Sequence, residues 1–155
     1  MTESSVLKLV SNNIQLGPIA AYDPSTLQTC NGLWISDDFV SRVRSKAKPV
    51  ENLGSLSLSS YDLTRTAYNR EITVGLGEKY IFNESGLCAR IDQMISKQPS
   101  GEEGDLLNNG LANLFYLAGC VVFAYWDDDY RKWIVRAWGF GGTGWCAGIR
   151  AFSTN

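Results

Sequence analysis

Three consecutive carboxylates, Asp127, Asp128 and Asp129, are the densest set of oxygen ligands in the chain. Such oxygens could begin a calcium loop. An EF-hand, however, alternates its acidic ligands, places a glycine at its centre, ends on a glutamate and lies between helices. None of that frame surrounds Asp127–Asp129, so no metal site is assigned. Adjacent carboxylates repel and seek water, which makes this stretch a solvated turn.

A second stretch, Gly139-Phe140-Gly141-Gly142-Thr143-Gly144, has the glycine content of a phosphate cradle. A dinucleotide fingerprint must open a helix inside a longer βαβ unit, and a P-loop needs its lysine. Only eleven residues follow Gly144, they read as a strand, and the lysine is missing. The expectation is a flexible connection with positive φ angles and close approach of backbone to an aromatic ring. Through Gly142 such a loop could also close over a ligand.

The aromatic residues carry more promise. Trp126, Tyr130, Trp133, Trp138 and Trp145 crowd the last third of the chain beside those carboxylates. Aromatic rings next to acids can stack on sugars or anchor a partner protein. Trp133 and Trp138 lie mid-strand and are expected in the core. Trp126 and Tyr130 border the wet turn and are expected to reach solvent, with Trp145 undecided. The candidate binding set is therefore Trp126, Asp128, Tyr130, Gly142 and Trp145.

Catalysis finds less support. There is no histidine, which removes Ser-His-Asp and Cys-His chemistry and the zinc sets that use imidazole. Glu71, Glu78 and Glu84 could serve a two-carboxylate hydrolase, but nothing in their spacing pairs them. Cys30, Cys88, Cys120 and Cys146 form no C-x-x-C pair. They read as free thiols filling the core, with two disulfides in any of three connectivities as the alternative. Asn83-Glu84-Ser85 matches a glycosylation acceptor, yet Ser85 reads as a helix cap. No cofactor is implied.

Composition bounds the rest. The chain has 155 residues, 45% hydrophobic and 19% charged, with a net charge of -2. One domain of this length buries roughly 68–70% of its unfolded surface without staples. The densest basic cluster is Arg42, Arg44, Lys46 and Lys48, too small for a nucleic-acid footprint. No run reaches the length of a membrane span. The start, MTESSVLKLVSNN, lacks the form of a secretory signal. A cytoplasmic setting is favoured, with secretion the alternative if a signal was removed.

The elements that position these residues follow from pattern. Cys120–Trp126 and Arg131–Trp138 are β-branched and aromatic, so they predict a hairpin around Asp127–Tyr130. A four-residue loop pairs Trp126 with Arg131, Ala124 with Trp133 and Val122 with Val135 on a core face. It puts Phe123, Tyr125, Lys132, Ile134 and Arg136 on a partly wet face. Trp126 beside Arg131 suits a cation–π contact. Ser36, Asp37 and Asp38 open a helix over 37–47 that ends in cations. A second helix begins at Ser85 and stops at Pro99. Strands are expected at Val6–Val10, which Ser11-Asn12-Asn13 ends, within Asn52–Leu63 where Leu56 and Leu58 alternate with Ser55, Ser57 and Ser59, at Arg70–Leu76 and at Ala112–Leu117. Pro99–Asp105 is polar and acidic, a flexible loop open to proteolysis.

Together these predict an α+β single domain over residues 1–155. It is a strand-rich antiparallel sheet or open barrel of about six to eight strands, with two short helices. The functional expectation is a non-enzymatic recognition module for a carbohydrate or protein partner, acting through the C-terminal aromatic and glycine-rich surface. An effector or toxin acting on another cell's protein or membrane is the first alternative. A histidine-free hydrolase is the second.

Overall fold

The computed structural model describes residues 5–77, 81–142 and 144–155. Its centre is one eight-stranded sheet. The strands are β1 (Leu7–Leu16), β3 (Leu33–Ile35), β5 (Leu56–Leu63), β7 (Ile81–Phe82), β8 (Asn113–Leu117), β9 (Cys120–Asp127), β10 (Lys132–Gly139) and β12 (Arg150–Thr154). Their order is β1-β5-β12-β8-β9-β10-β3, with β7 beside β8. Two ribbons stand apart, β2 (Ile19–Tyr22) with β4 (Val50–Leu53) and β6 (Ala67–Tyr68) with β11 (Gly144–Trp145).

The α+β, strand-rich expectation holds, with two refinements. The sheet is mixed, because β3, β7 and β12 each enter a parallel pairing. There are three helices among the described residues, α1 (Asp37–Arg42), α2 (Asn69–Leu76) and α3 (Glu84–Ser96). Helix α2 replaces the strand expected at Arg70–Leu76. Ile72 and Leu76 are four apart and buried, while Val74 is 75% exposed. The Glu71 carboxylate accepts from the Tyr68 N–H, satisfying a donor that a helix start otherwise leaves open. Capping and the four-residue stripe outweigh the two-residue alternation of Ile72, Val74 and Leu76.

Helices cover both faces of the sheet. On one face Phe39 and Val43 around α1, and Leu87, Ile91 and Met94 of α3, meet Phe115, Val122, Trp133 and Phe152. On the other, Ile72 and Leu76 of α2 and Trp145 of β11 meet Leu114, Tyr116, Val121 and Phe123. The wet face expected on the β9–β10 hairpin is thus largely a second core.

The hairpin forms as expected, but its loop is displaced by one residue. Asp127 pairs with Lys132, and Trp133 lies opposite Trp126. The Asp127 carboxylate accepts from the N–H groups of Asp129 (3.0 Å) and Tyr130 (3.2 Å). That local cap makes Asp127 the last strand residue, and Arg131 closes the loop with φ 56. The pairing changes by two residues in sum, so every side chain keeps its expected face.

Other expectations shift for local reasons. Ser36 does cap α1, accepting from the Phe39 N–H at 3.3 Å. Asn83, not Ser85, caps α3, accepting from Gly86 N–H at 2.7 Å; Ser85 instead accepts from Lys48 N–H. Ser11-Asn12-Asn13 does not end β1 but bulges it, which blunts an edge strand. Residues 99–105 are a loop, though a stapled one. The buried Gln98 amide donates to the carbonyls of Glu102 and Leu106 and accepts from Leu106 N–H. Asn113, fully buried, holds Leu107 in the same way and also donates to Ala124.

Candidate functional site

The five candidate residues fall into two places. Trp126, Asp128 and Tyr130 lie at the tip of the β9–β10 hairpin. Gly142 and Trp145 follow the far end of β10, about 25 Å away by strand rise. No single surface joins them.

At the tip, Trp126 is 4% exposed, which corrects the expectation that it reaches solvent. It packs edge-on against Trp133, with ring centroids 5.6 Å apart. The Arg131 guanidinium sits 5.3 Å over its ring, as the sequence suggests. Its Nε1 donates to the Asp128 carboxylate at 3.4 Å, and Asp128 pairs with Arg131 at 2.8 Å. Both ends of that ion pair are exposed, so it adds little to stability. Tyr130 is 74% exposed, with the Lys132 ammonium 6.0 Å from its ring.

Two loops complete the tip. The Gln98 staple carries Pro99, Ser100 and Gly101 against Trp126. The parallel pairing of β3 with β10 carries Asn31 and Gly32 to the same place, through the Trp133 N–H donated to the Gly32 carbonyl at 2.9 Å. Between them lies a depression of about 350 Å³ lined by Asn31, Gly32, Pro99, Ser100, Trp126 and Arg131. Among the described residues, the Asn31 side-chain amide and the Ser100 hydroxyl make no hydrogen bond. They are free to serve a ligand.

At the other place, Trp145 is 6% exposed and its indole N–H donates to the Asn69 side-chain oxygen Oδ1 at 2.8 Å. Tyr116 donates to the same oxygen at 2.8 Å, and burial pushes the Tyr116 hydroxyl pKa up. Trp145 stacks on Trp138 and meets Phe123 edge-on. It is a core residue, not a contact surface. Trp138, expected inside, is half-buried, with the Arg136 guanidinium 5.6 Å over it. Gly142 is exposed, and a Cβ there would meet open space. Among the described residues, none of Gly139, Gly141 or Gly142 has a positive φ, so none of these three makes the expected left-handed turn. Further along, Gly148 has φ 92.

A partly exposed strip of sheet remains beside the hairpin, with Ile134 buried at its middle, and pattern alone missed the residue that β3 adds to it. Tyr125, Ile134 and Trp34 form one row across β9, β10 and β3, flanked by Lys132 and Arg136. Trp34 is 38% exposed. No local signal marks it, since only the parallel crossover brings it beside Ile134.

Arg136 is anchored there by Asp38. Burial raises the Asp38 pKa, but bonds from the Ser36 hydroxyl, the Ala137 N–H (3.2 Å) and the Arg136 guanidinium (3.3 Å) outweigh it and hold it below the usual value. A depressed folded pKa stabilises above the unfolded value of about 3.9 and is lost as pH falls through the folded value. Asp38→Asn should therefore lower stability by about 1 kcal/mol at pH 7, discounted for its partial exposure. The gap from wild type should close towards pH 3, as read by urea midpoints. An unchanged gap across that range would remove Asp38 as the cause.

Acid chemistry elsewhere is weakly framed. Glu103 and Asp105 line a depression of about 150 Å³ with Lys97, half the lower size of ordinary ligand pockets. The Tyr68 N–H, and then Arg65 at 3.1 Å, hold the Glu71 carboxyl below its usual range. Glu84 begins α3, and Glu78 lies outside the described residues. All four cysteines are free thiols. Burial pushes Cys88 up to about 12 and raises Cys120, which keeps both unreactive. Among the described residues no cluster suits a metal ion, and no helix is long and apolar enough to cross a membrane. Compared with protein families, curated proteins and solved structures, the chain matches none.

Proposed function

We propose that the protein is a non-enzymatic recognition module that takes a carbohydrate at the hairpin mouth. One observation carries the reading: the depression of about 350 Å³ where Asn31, Ser100 and Arg131 surround the edge of Trp126. That volume falls in the range of small-molecule sites. Sugar hydroxyls both donate and accept, which suits an amide, a hydroxyl and a guanidinium with capacity to spare. Trp126 is a wall rather than a platform, since Arg131 and Gly101 lie against it. Tyr130, exposed beside the rim, supplies a stacking face for a second ring.

The test is a glycan array followed by titration of tryptophan fluorescence. A retained glycan should perturb the emission of wild type. Asn31→Ala and Ser100→Ala should each weaken binding by roughly tenfold, the loss of one hydrogen bond. Retention of no glycan, or wild-type affinity in both variants, would end the carbohydrate reading.

A protein partner is the second reading, favoured by Tyr125 and Trp34, which stand on either side of the buried Ile134 between Lys132 and Arg136. Tryptophan, tyrosine and arginine are the residue types that dominate binding energy at protein interfaces. It predicts that a partner is released by Trp34→Ala and kept by Asn31→Ala.

A further inference from the structure

A different face carries a feature that neither reading uses. Helix α2 sits close on β1 because Gly75 has no side chain. A Cβ there would lie 2.9 Å from the Leu7 Cδ1. Seated this low, the helix turns Val74 outward, 75% exposed. Beside it opens a depression of about 420 Å³, lined by Val6, Val74 and Gly75 together with Arg65, Arg70 and Glu71. It has the largest volume of the depressions described above, and its lining is more apolar than polar.

The charges around it are unbalanced. Arg65 is committed to Glu71 at 3.1 Å. Among the described residues the Arg70 guanidinium makes no hydrogen bond or ion pair, while its backbone carbonyl accepts from the Thr73 hydroxyl at 3.1 Å. One unpaired guanidinium therefore stands at the edge of an apolar hollow. A guanidinium prefers a carboxylate or phosphate, which it grips through two parallel bonds. An exposed valine beside it prefers an alkyl group. A ligand that satisfies both needs a single anionic head and a short apolar tail.

We propose that this hollow binds a free monocarboxylate with a short alkyl chain, its head on Arg70 and its chain over Val74 and Val6. The site is independent of the hairpin mouth, and its failure would leave the carbohydrate reading untouched. Pairing the head with Arg70 changes the local balance from one net positive charge to neutral. Glu71, already held by Arg65 and the Tyr68 N–H, keeps its place.

The experiment is two-dimensional amide NMR on the full chain, titrated with octanoate below its micelle concentration. Octanol and octyltrimethylammonium are the controls. Octanoate should give saturable shifts confined to residues near Val6 and 65–75, and neither control should. Arg70→Gln should weaken octanoate by about ten- to a hundredfold, the loss of a charge-assisted bond. Val74→Asp should abolish it, and Tyr130→Ala should leave it unchanged. Position 74 is exposed, so its variant should keep the wild-type amide spectrum elsewhere. Absence of saturable shifts, equal binding by Arg70→Gln, or equal binding of octyltrimethylammonium would overturn the site.

Discussion

Gly101→Ala destabilises the protein by about 3 kcal/mol or more, the largest expected effect of adding one methyl group. Two separate penalties meet at this position. Gly101 has φ +73, where an L-residue with a Cβ loses about 1–2 kcal/mol. The added Cβ would also lie 2.3 Å from Cε2, 2.5 Å from Cδ2 and 2.7 Å from Cζ2 of Trp126. Such overlap in a packed interior costs about 1–3 kcal/mol. The indole has nowhere to retreat, since it packs on Trp133 and bonds to Asp128. A melting temperature lower by roughly 10 °C follows for a chain of this length. The loop should also open. Cleavage by a glutamate-specific protease after Glu102 and Glu103 should be slow in wild type and fast in the variant. A variant that melts with wild type and resists that protease would mean that the loop does not rest on Trp126.

Arg90→Ala should cost about 3 kcal/mol, with a different signature. Arg90 is 6% exposed, and its guanidinium donates to Gly17 (2.8 Å), to the Gly54 carbonyl and to the Gln93 side chain (3.0 Å). Gly17 and Gly54 sit where β1 passes to β2 and β4 passes to β5. One side chain on α3 thus ties both corners of the β2–β4 ribbon to the main body. Truncation leaves the Gly54 carbonyl without this donor and opens a hole, each worth about 1–3 kcal/mol. Gly17 keeps a bond from Gln93 at 2.9 Å, which limits the loss. Arg90→Lys should recover less than half, because a point ammonium cannot reach both corners at once. Hydrogen exchange should rise first at Ile19–Tyr22 and Val50–Leu53. Uniform exchange across the chain, or full rescue by lysine, would argue against this corner tie.

Both predictions rest on residues that pattern reading passes over. Gly101 stands in a polar stretch that reads as a flexible loop, and Arg90 stands off the apolar stripe of its helix. Their importance comes from contacts with residues 25 and more positions away in sequence. The hairpin was legible because its strands are adjacent and their composition is unambiguous. Its loop was placed one residue early because the Asp127 carboxylate, not composition, decides where the turn begins. Strand and helix remain close rivals at Arg70–Leu76, where apolar residues fit both periods. There the Glu71 cap and the buried pair Ile72 and Leu76 tip the balance.

The candidate site divides the same way. Sequence identified the aromatic and acidic residues near the hairpin and the Trp126–Arg131 contact. It misjudged which rings meet water, because exposure depends on what lands on each face. Trp126 is covered by a loop stapled through Gln98, and Trp145 by the Asn69 bond and the stack on Trp138.

What residue order alone determined was local: an α+β, strand-rich chain, the hairpin with its two faces, the Ser36 cap, and the lack of histidine chemistry. These follow from side-chain type and near-neighbour spacing. Tertiary structure decided the parallel entry of β3 beside β10 and the second core on the far face. It also decided the convergence of Asn31, Ser100 and Arg131 around Trp126. Those depend on chain closure over long separations, where many sequences with the same local pattern could pair differently and only the packed whole selects one.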